Sequence, residues 1–199
     1  MEKMNSNLKD FIEGYSIEVI PKTVAKTDSF SDILPKNTRV YLAHLKDEEI
    51  SQMISSAKRL NDEGFSVMPH IPARVIKDKA MLYDWISMYQ NEAGVNEALL
   101  LAGGSPDPIG DYDSSIQLIE SGLFDRAGFK RLHIAGHPEG NKDIDPDGGT
   151  SNVSKALSWK QEFSKRTDAS MAIATQFCFD ASVVKKWADD LKDNGIDMP

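Results

Sequence analysis

A single cysteine, Cys178, stands in 199 residues, so no internal disulfide can staple the fold. That suits a reducing compartment, and a cytoplasmic location is expected. Long apolar runs are missing too: none approaches the roughly 20 residues that a membrane-spanning helix needs, so no membrane partner is expected. The opening residues Met1-Glu2-Lys3-Met4-Asn5-Ser6 lack the apolar core of a secretory signal, which argues against export. Basic charge is in deficit, with 23 Lys and Arg against 31 Asp and Glu and a net charge of -8. A balance of that sign argues against nucleic acid as a partner, whereas a phosphate-bearing cofactor needs only a local patch or a helix N-terminus. No G-x-G-x-x-G follows a strand, which removes the best signature of a dinucleotide-binding open sheet. Repeats, low-complexity segments and domain linkers are likewise lacking, and one domain over residues 1–199 is the expectation, with about residues 1–14 as an N-terminal extension.

What is present reads as strand and helix in alternation. Tyr15-Ser16-Ile17-Glu18-Val19-Ile20 predicts a short strand closed by Pro21, and residues 40–45 predict a second. Ile50, Met53, Ile54 and Ala57 recur at helical spacing, and Gly64 ends that helix ahead of a third strand over residues 65–68. Met81, Trp85, Ile86 and Tyr89 mark the next helix, and residues 98–101 a fourth strand. Ile116, Ile119 and Leu123 predict one helix before strand five, residues 132–135. Val153, Leu157 and Phe163 predict another before strand six, residues 171–174. Val184, Trp187 and Leu191 line one face of a last helix, capped by Gly195. Residues 141–151, acidic and glycine-rich, read as a long loop. Apolar strands each followed by a helix mean βαβ units and a parallel sheet, in an open doubly wound form or a barrel.

Chemistry-bearing residues fall near the predicted strand ends, where α/β folds build their sites. Glu18 lies inside an apolar strand, with Ile17 and Val19 facing the other way. Burial there would raise its pKa and suit it to general-acid work; a strand-end charge reaching solvent is the alternative. His44, His70, His133 and His137 invite a metal, but the H-x-x-x-H spacing of His133 and His137 falls across a predicted strand, where it does not bring two side chains together as a helix would, and none is expected. His133 reads as a core histidine. Gly103-Gly104 after strand four lets backbone amides approach a flat ring or a phosphate, although such turns are common. Asp111 to Ser115 holds an N-cap for the following helix. Gln176, after strand six, offers a donor and an acceptor together. Lys160 reads first as a solvated helix lysine, Glu139 as a loop acid, and Cys178 as a small packed hydrophobe.

Gly136-His137-Pro138-Glu139-Gly140-Asn141 and Ala174-Thr175-Gln176-Phe177-Cys178-Phe179-Asp180 resemble the G/A-Y-P-E-x-H and I-T-Q-x-F-F-D signatures of the methylenetetrahydrofolate reductase family. Ser16-Ile17-Glu18-Val19-Ile20-Pro21-Lys22 is similar to its F-E-x-x-P-P/K motif, and Pro69-His70-Ile71 to its P-H-L/I segment. The resemblance implies a (β/α)8 TIM-type barrel, here truncated after about six βα units, because the chain stops at Pro199 where the family begins strand seven. An incomplete barrel would leave two strand edges exposed, favouring aggregation or a homo-oligomer. The resemblance also implies FAD as cofactor, NADH or NADPH as co-substrate, and interconversion of 5,10-methylenetetrahydrofolate and 5-methyltetrahydrofolate. Glu18 would then be the catalytic acid that opens the folate ring, and Gln176 would bind the folate substrate. His70, Gly103, Gly104, Tyr112, Ala135, His137, Asn141 and Lys160 would bind the flavin, Lys160 through its phosphates. The family usually has L-R-G-D where this chain has Leu101-Ala102-Gly103-Gly104, so its arginine and aspartate are lost. A folate-binding relative with a different one-carbon reaction, such as oxidation of methyltetrahydrofolate, therefore stays open. So does a non-catalytic barrel fragment serving as an interaction module.

Overall fold

A computed structural model describes Asp10, residues 13–46 and residues 48–199. The N-terminal extension expected over about residues 1–14 lies almost wholly outside them. The described chain is an α/β fold with six parallel strands: β1 Ser16–Val19, β2 Arg39–Leu42, β3 Ser66–Pro72, β4 Glu97–Leu101, β5 Arg131–Gly136 and β6 Ser170–Thr175. The helices are α1 Pro21–Lys26, α2 Ile50–Asp62, α3 Lys79–Asn91, α4 Ser115–Glu120, α5 Leu123–Ala127, α6 Ser151–Ser164 and α7 Ala181–Asp193. None of them is long and apolar enough to cross a membrane.

Two compact units divide the chain. The first takes in residues up to His70 together with Met88–Val95. Its strands run β1-β2-β3, with Ile17 level with Val40 and Val40 with Val67, and Glu18 level with Tyr41 and Tyr41 with Met68. Val40, Leu42 and Val67 are buried on one face, where Met53, Ile54, Ala57 and Leu60 of α2 complete the core. Arg59 fastens the return of the chain: its guanidinium donates to the carbonyls of Val24, Thr27 and Asp28 and to Glu63. Pro21 does close β1, but it also opens α1, a helix the apolar pattern does not reveal; its fixed φ suits a first helical position, where the missing N–H costs nothing.

The second unit holds Ile71–Ser87 and Asn96–Pro199. Here β4, β5 and β6 are neighbours in chain order, with Leu99 level with His133 and His133 with Ala172. The end of β3 lies alongside the end of β4: the Arg74 N–H donates to the Ala102 carbonyl at 2.9 Å. The single helix expected over residues 116–123 is two, α4 and α5, because the chain turns left-handed at Gly122. Ile134, Gly136 and Ile173 face α7; a Cβ on Gly136 would stand 2.5 Å from Ile173 and 3.0 Å from Trp187. On the far side of β6 the Ile173 N–H donates to the Pro199 carbonyl at 2.7 Å, and Gln161 accepts from the Asp197 and Met198 N–H groups. β6 ends the strand order, as expected, and the C-terminal residues cover part of that edge. The last residues are drawn there because Ile196 is buried and Gln161, itself buried, supplies a ready acceptor.

Gly110 is the tightest backbone approach in the second unit. A Cβ there would fall 1.8 Å from the Lys77 carbonyl oxygen, in a loop stitched by Asp111 N–H to Lys77 and Ile109 N–H to Arg74. Gly110→Ala is therefore expected to lose roughly 1–3 kcal/mol, the usual range for forced overpacking, or more if those two hydrogen bonds part. Urea denaturation of both proteins measures it, and equal midpoints would mean that the loop moves aside freely.

Candidate functional site

The second unit gathers its polar side chains just past the ends of β5 and β6. Alternation along the strands puts His133, Ala135 and His137 on the face opposite α7, level with Ala172, Ala174 and the approach to Gln176. Two of these positions, Ala135 and Ala174, carry only a methyl group and are half-buried, so the sheet offers a low floor there. His137 and Gln176 rise beyond it, close enough for the amide to act on the imidazole. Asn141 adds a long contact, Nδ2 to His137 Nδ1 at 3.5 Å. Burial holds the His137 imidazole below its ordinary value; the Gln176 amide opposes this and the Lys160 charge reinforces it.

Lys160 departs most from the ordinary expectation for its type. It is only 6% exposed, on the α6 side that carries Val153, Leu157 and Phe163 into the core. Desolvation lowers its ammonium from 10.5 to about 8. No hydrogen bond or ion pair to it occurs among the described residues. The solvated helix lysine that composition favours is thus corrected: α6 turns this position inward, and the four-carbon stem packs with the apolar side. A buried cation without a carboxylate is costly, and an anionic group of a ligand is what would relieve it.

The loops around this cluster are pinned by residues that pattern reading missed. Asp145 is buried, and its carboxylate accepts from the Asn152 and Val153 N–H groups at 2.9 and 3.0 Å, capping α6 from within the long loop. An acid ahead of a helix was the available signal, but Asp143, Asp145 and Asp147 offered three candidates. Glu139 accepts from the Phe179 and Asp180 N–H groups at 3.2 and 3.4 Å, tying the loop after β5 to the loop after β6. Asp180 then caps α7 through Ser182 and Val183, and those hydrogen bonds hold its carboxyl below the ordinary range. Cys178 is not packed in a core; it is half-exposed and its Sγ contacts the Gln176 carbonyl at 3.0 Å.

Gly103 and Tyr112 belong to another network of the same unit. Gly103 has φ +99°, and a Cβ there would stand 2.9 Å from Pro72, so both conformation and space call for glycine. Gly104 has nothing within 4 Å of its Cβ position. Arg74 organises the segment: Nε donates to Asp113 Oδ1 at 2.8 Å and Nη1 to the Ser105 carbonyl at 2.9 Å. The Tyr112 ring is buried, and burial, then Asp111 and Asp78, push its phenol above the ordinary value. Ser114 caps α4, with Gln117 reaching back to its N–H at 2.9 Å.

In the first unit the strand register places Glu18, Tyr41 and Met68 on one face, followed by His70 one pleat along β3. Nε2 of His70 stands 3.3 Å from Oε2 of Glu18, an ion-pair distance whose angle falls short of a good hydrogen bond. The side chain of Glu18 is 61% exposed. Contact with His70 holds its carboxyl below the ordinary value, outweighing the burial that acts the other way. The expectation of a desolvated Glu18 with a raised pKa is therefore corrected: β1 leaves it exposed, and a histidine neighbours it. His44, just past β2, binds the Glu48 carbonyl at 3.1 Å, and burial lowers its imidazole. His133 is buried in β5, as expected for a core histidine. No group of three potential metal ligands is found among the described residues. No known protein-family model matches the chain.

Proposed function

We propose that the protein is a flavin-dependent oxidoreductase that interconverts 5,10-methylenetetrahydrofolate and 5-methyltetrahydrofolate with NADH or NADPH. The architecture that goes with this reading is a (β/α)8-type barrel of which the chain supplies six βα units. Its main support is the cluster of Lys160, His137, Asn141 and Gln176 above the low floor of Ala135 and Ala174. The residues present fit FAD. A buried ammonium without a counter-ion suits a pyrophosphate, and His137 and Asn141 suit ribityl or phosphate oxygens. When bound, the flavin carries the hydride between nicotinamide and folate.

The chain's own contribution is binding, orientation and one proton. Lys160 holds an anionic group in a desolvated place, where its charge acts strongly. Gln176 presents an amide edge to the pterin, and Glu18 serves the folate ring nitrogen as acid or base. One observation favours the second reading, a folate-binding relative with a different one-carbon reaction: the place of the family's aspartate is the bare Gly104. Denaturing the purified protein should release FAD, read by its absorbance and by its fluorescence after phosphodiesterase treatment. Failure to find or reconstitute any flavin would sink the reading.

A further inference from the structure

The family resemblance gives Glu18 and His70 separate tasks, one as acid and one as flavin neighbour. In the first unit they are one pair, Nε2 to Oε2 at 3.3 Å. Tyr41 meets the His70 ring edge-on with centroids 6.5 Å apart, which fixes the imidazole against the sheet. Exposure divides the pair: 13% of the His70 side chain is open to solvent, against 61% for Glu18. The imidazole is thus held in place while the carboxylate reaches out from it. Nε2 of His70 is buried and makes no well-angled hydrogen bond among the described residues, so the approach of Glu18 is its polar contact.

We propose that Glu18 and His70 act as a single acid, His70 holding the proton that Glu18 passes to the folate ring nitrogen. This deepens the proposed function and rests on it. A carboxyl titrating below 4.5 is almost wholly ionised at neutral pH and by itself has no proton to give. Imidazole both accepts and releases a proton readily, and here its Nε2 stands 3.3 Å from the carboxylate. One shared proton gives two forms, imidazolium with carboxylate and imidazole with carboxylic acid, and their titration belongs to the pair. From the second form Oε2 gives its proton to the ring nitrogen, which keeps the electron pair of the C–N bond as that bond breaks. Carboxylate and neutral imidazole remain, and a solvent proton reloads the pair through the exposed Glu18 carboxylate. The other titratable groups on this face are Arg39 and Tyr41 of β2, with His44 just beyond. Burial holds His44 below its ordinary value; its bond to the Glu48 carbonyl opposes this and the nearby His70 reinforces it.

The test is NMR titration of carboxyl-labelled glutamate in the full chain without folate. Glu18 should titrate below 4.5 in the wild type, and in His70→Asn above it, because burial is then the only influence left of those that shift it. Equal midpoints overturn the proposal. Should His70→Asn fail to fold, Glu18→Asp withdraws the carboxylate by one methylene. Its carboxyl should then titrate at or above the ordinary aspartate range, and a midpoint still depressed counts against the pair. In kinetics, His70→Asn should slow the folate half-reaction about 100- to 10,000-fold at pH 7 and move its falling limb to lower pH, which a merely structural histidine would not do. An unmoved limb overturns the relay. Shifted titrations in a protein that binds no flavin would support the pair and sink the proposed function; coincident titrations in a yellow protein would do the reverse.

Discussion

Glu18→Gln is expected to lower folate turnover about 100- to 10,000-fold while reduction of bound flavin by the nicotinamide cofactor proceeds at nearly the wild-type rate. The glutamine keeps the shape and length of the side chain but can neither hold nor receive the transferred proton. Only the step that opens or closes the folate ring needs that proton, so the loss falls on one half-reaction. The fold should be indifferent: Glu18 is largely exposed, its neighbours Ile17 and Val19 face the other way, and its contact in the first unit is the 3.3 Å approach to His70. Stopped-flow measurement of both half-reactions provides the check. Equal losses in the two would make Glu18 a structural residue.

Lys160→Met should stabilise the ligand-free protein and at the same time remove its affinity for flavin. The ammonium is buried without a counter-ion and titrates at about 8 instead of 10.5. A depression of that size corresponds to about 3 kcal/mol of destabilisation by the charge at neutral pH. Its pH dependence has a definite sign. Below about 8 the lysine is protonated folded and unfolded, and the full penalty is present. Between about 8 and 10.5 the unfolded chain binds the extra proton, so stability rises with pH through this window. Methionine fills nearly the same volume without charge, so the variant should be more stable at pH 7 and lose this rise. Chemical denaturation at pH 7 and pH 10 reads both effects. A variant less stable than wild type at pH 7 would mean that Lys160 has an anionic partner already.

Much of the fold could be read from local pattern. All six strands fall where short apolar runs stand between helical periodicities, within a few residues of their observed limits. The errors have local causes. α1 has too short an apolar face to show a period, the break at Gly122 depends on one left-handed residue, and β3 runs on through Pro69 and Pro72, past the expected end at residue 68. Candidate site residues could be named where a residue type sits at a strand end, as with His137 and Gln176, or where a family motif resembles the segment, as with Glu18 and His70.

Alternation along the chain determined by itself that this is a parallel α/β protein, because side-chain period and run length are properties of consecutive residues. The absence of long apolar runs and of a second cysteine likewise excluded a spanning helix and an internal disulfide. The electrostatic character of the candidate residues was decided only in three dimensions. Lys160 lies within α6 and Lys165 just past its end, yet Lys160 is buried without a counter-ion and Lys165 pairs with Glu162 in solvent. The Glu18 carboxyl is held below its ordinary value because a histidine 52 positions away, counting from 18 to 70, comes within 3.3 Å of it. Desolvation and charge pairing depend on distances through space, and residue order does not carry those distances.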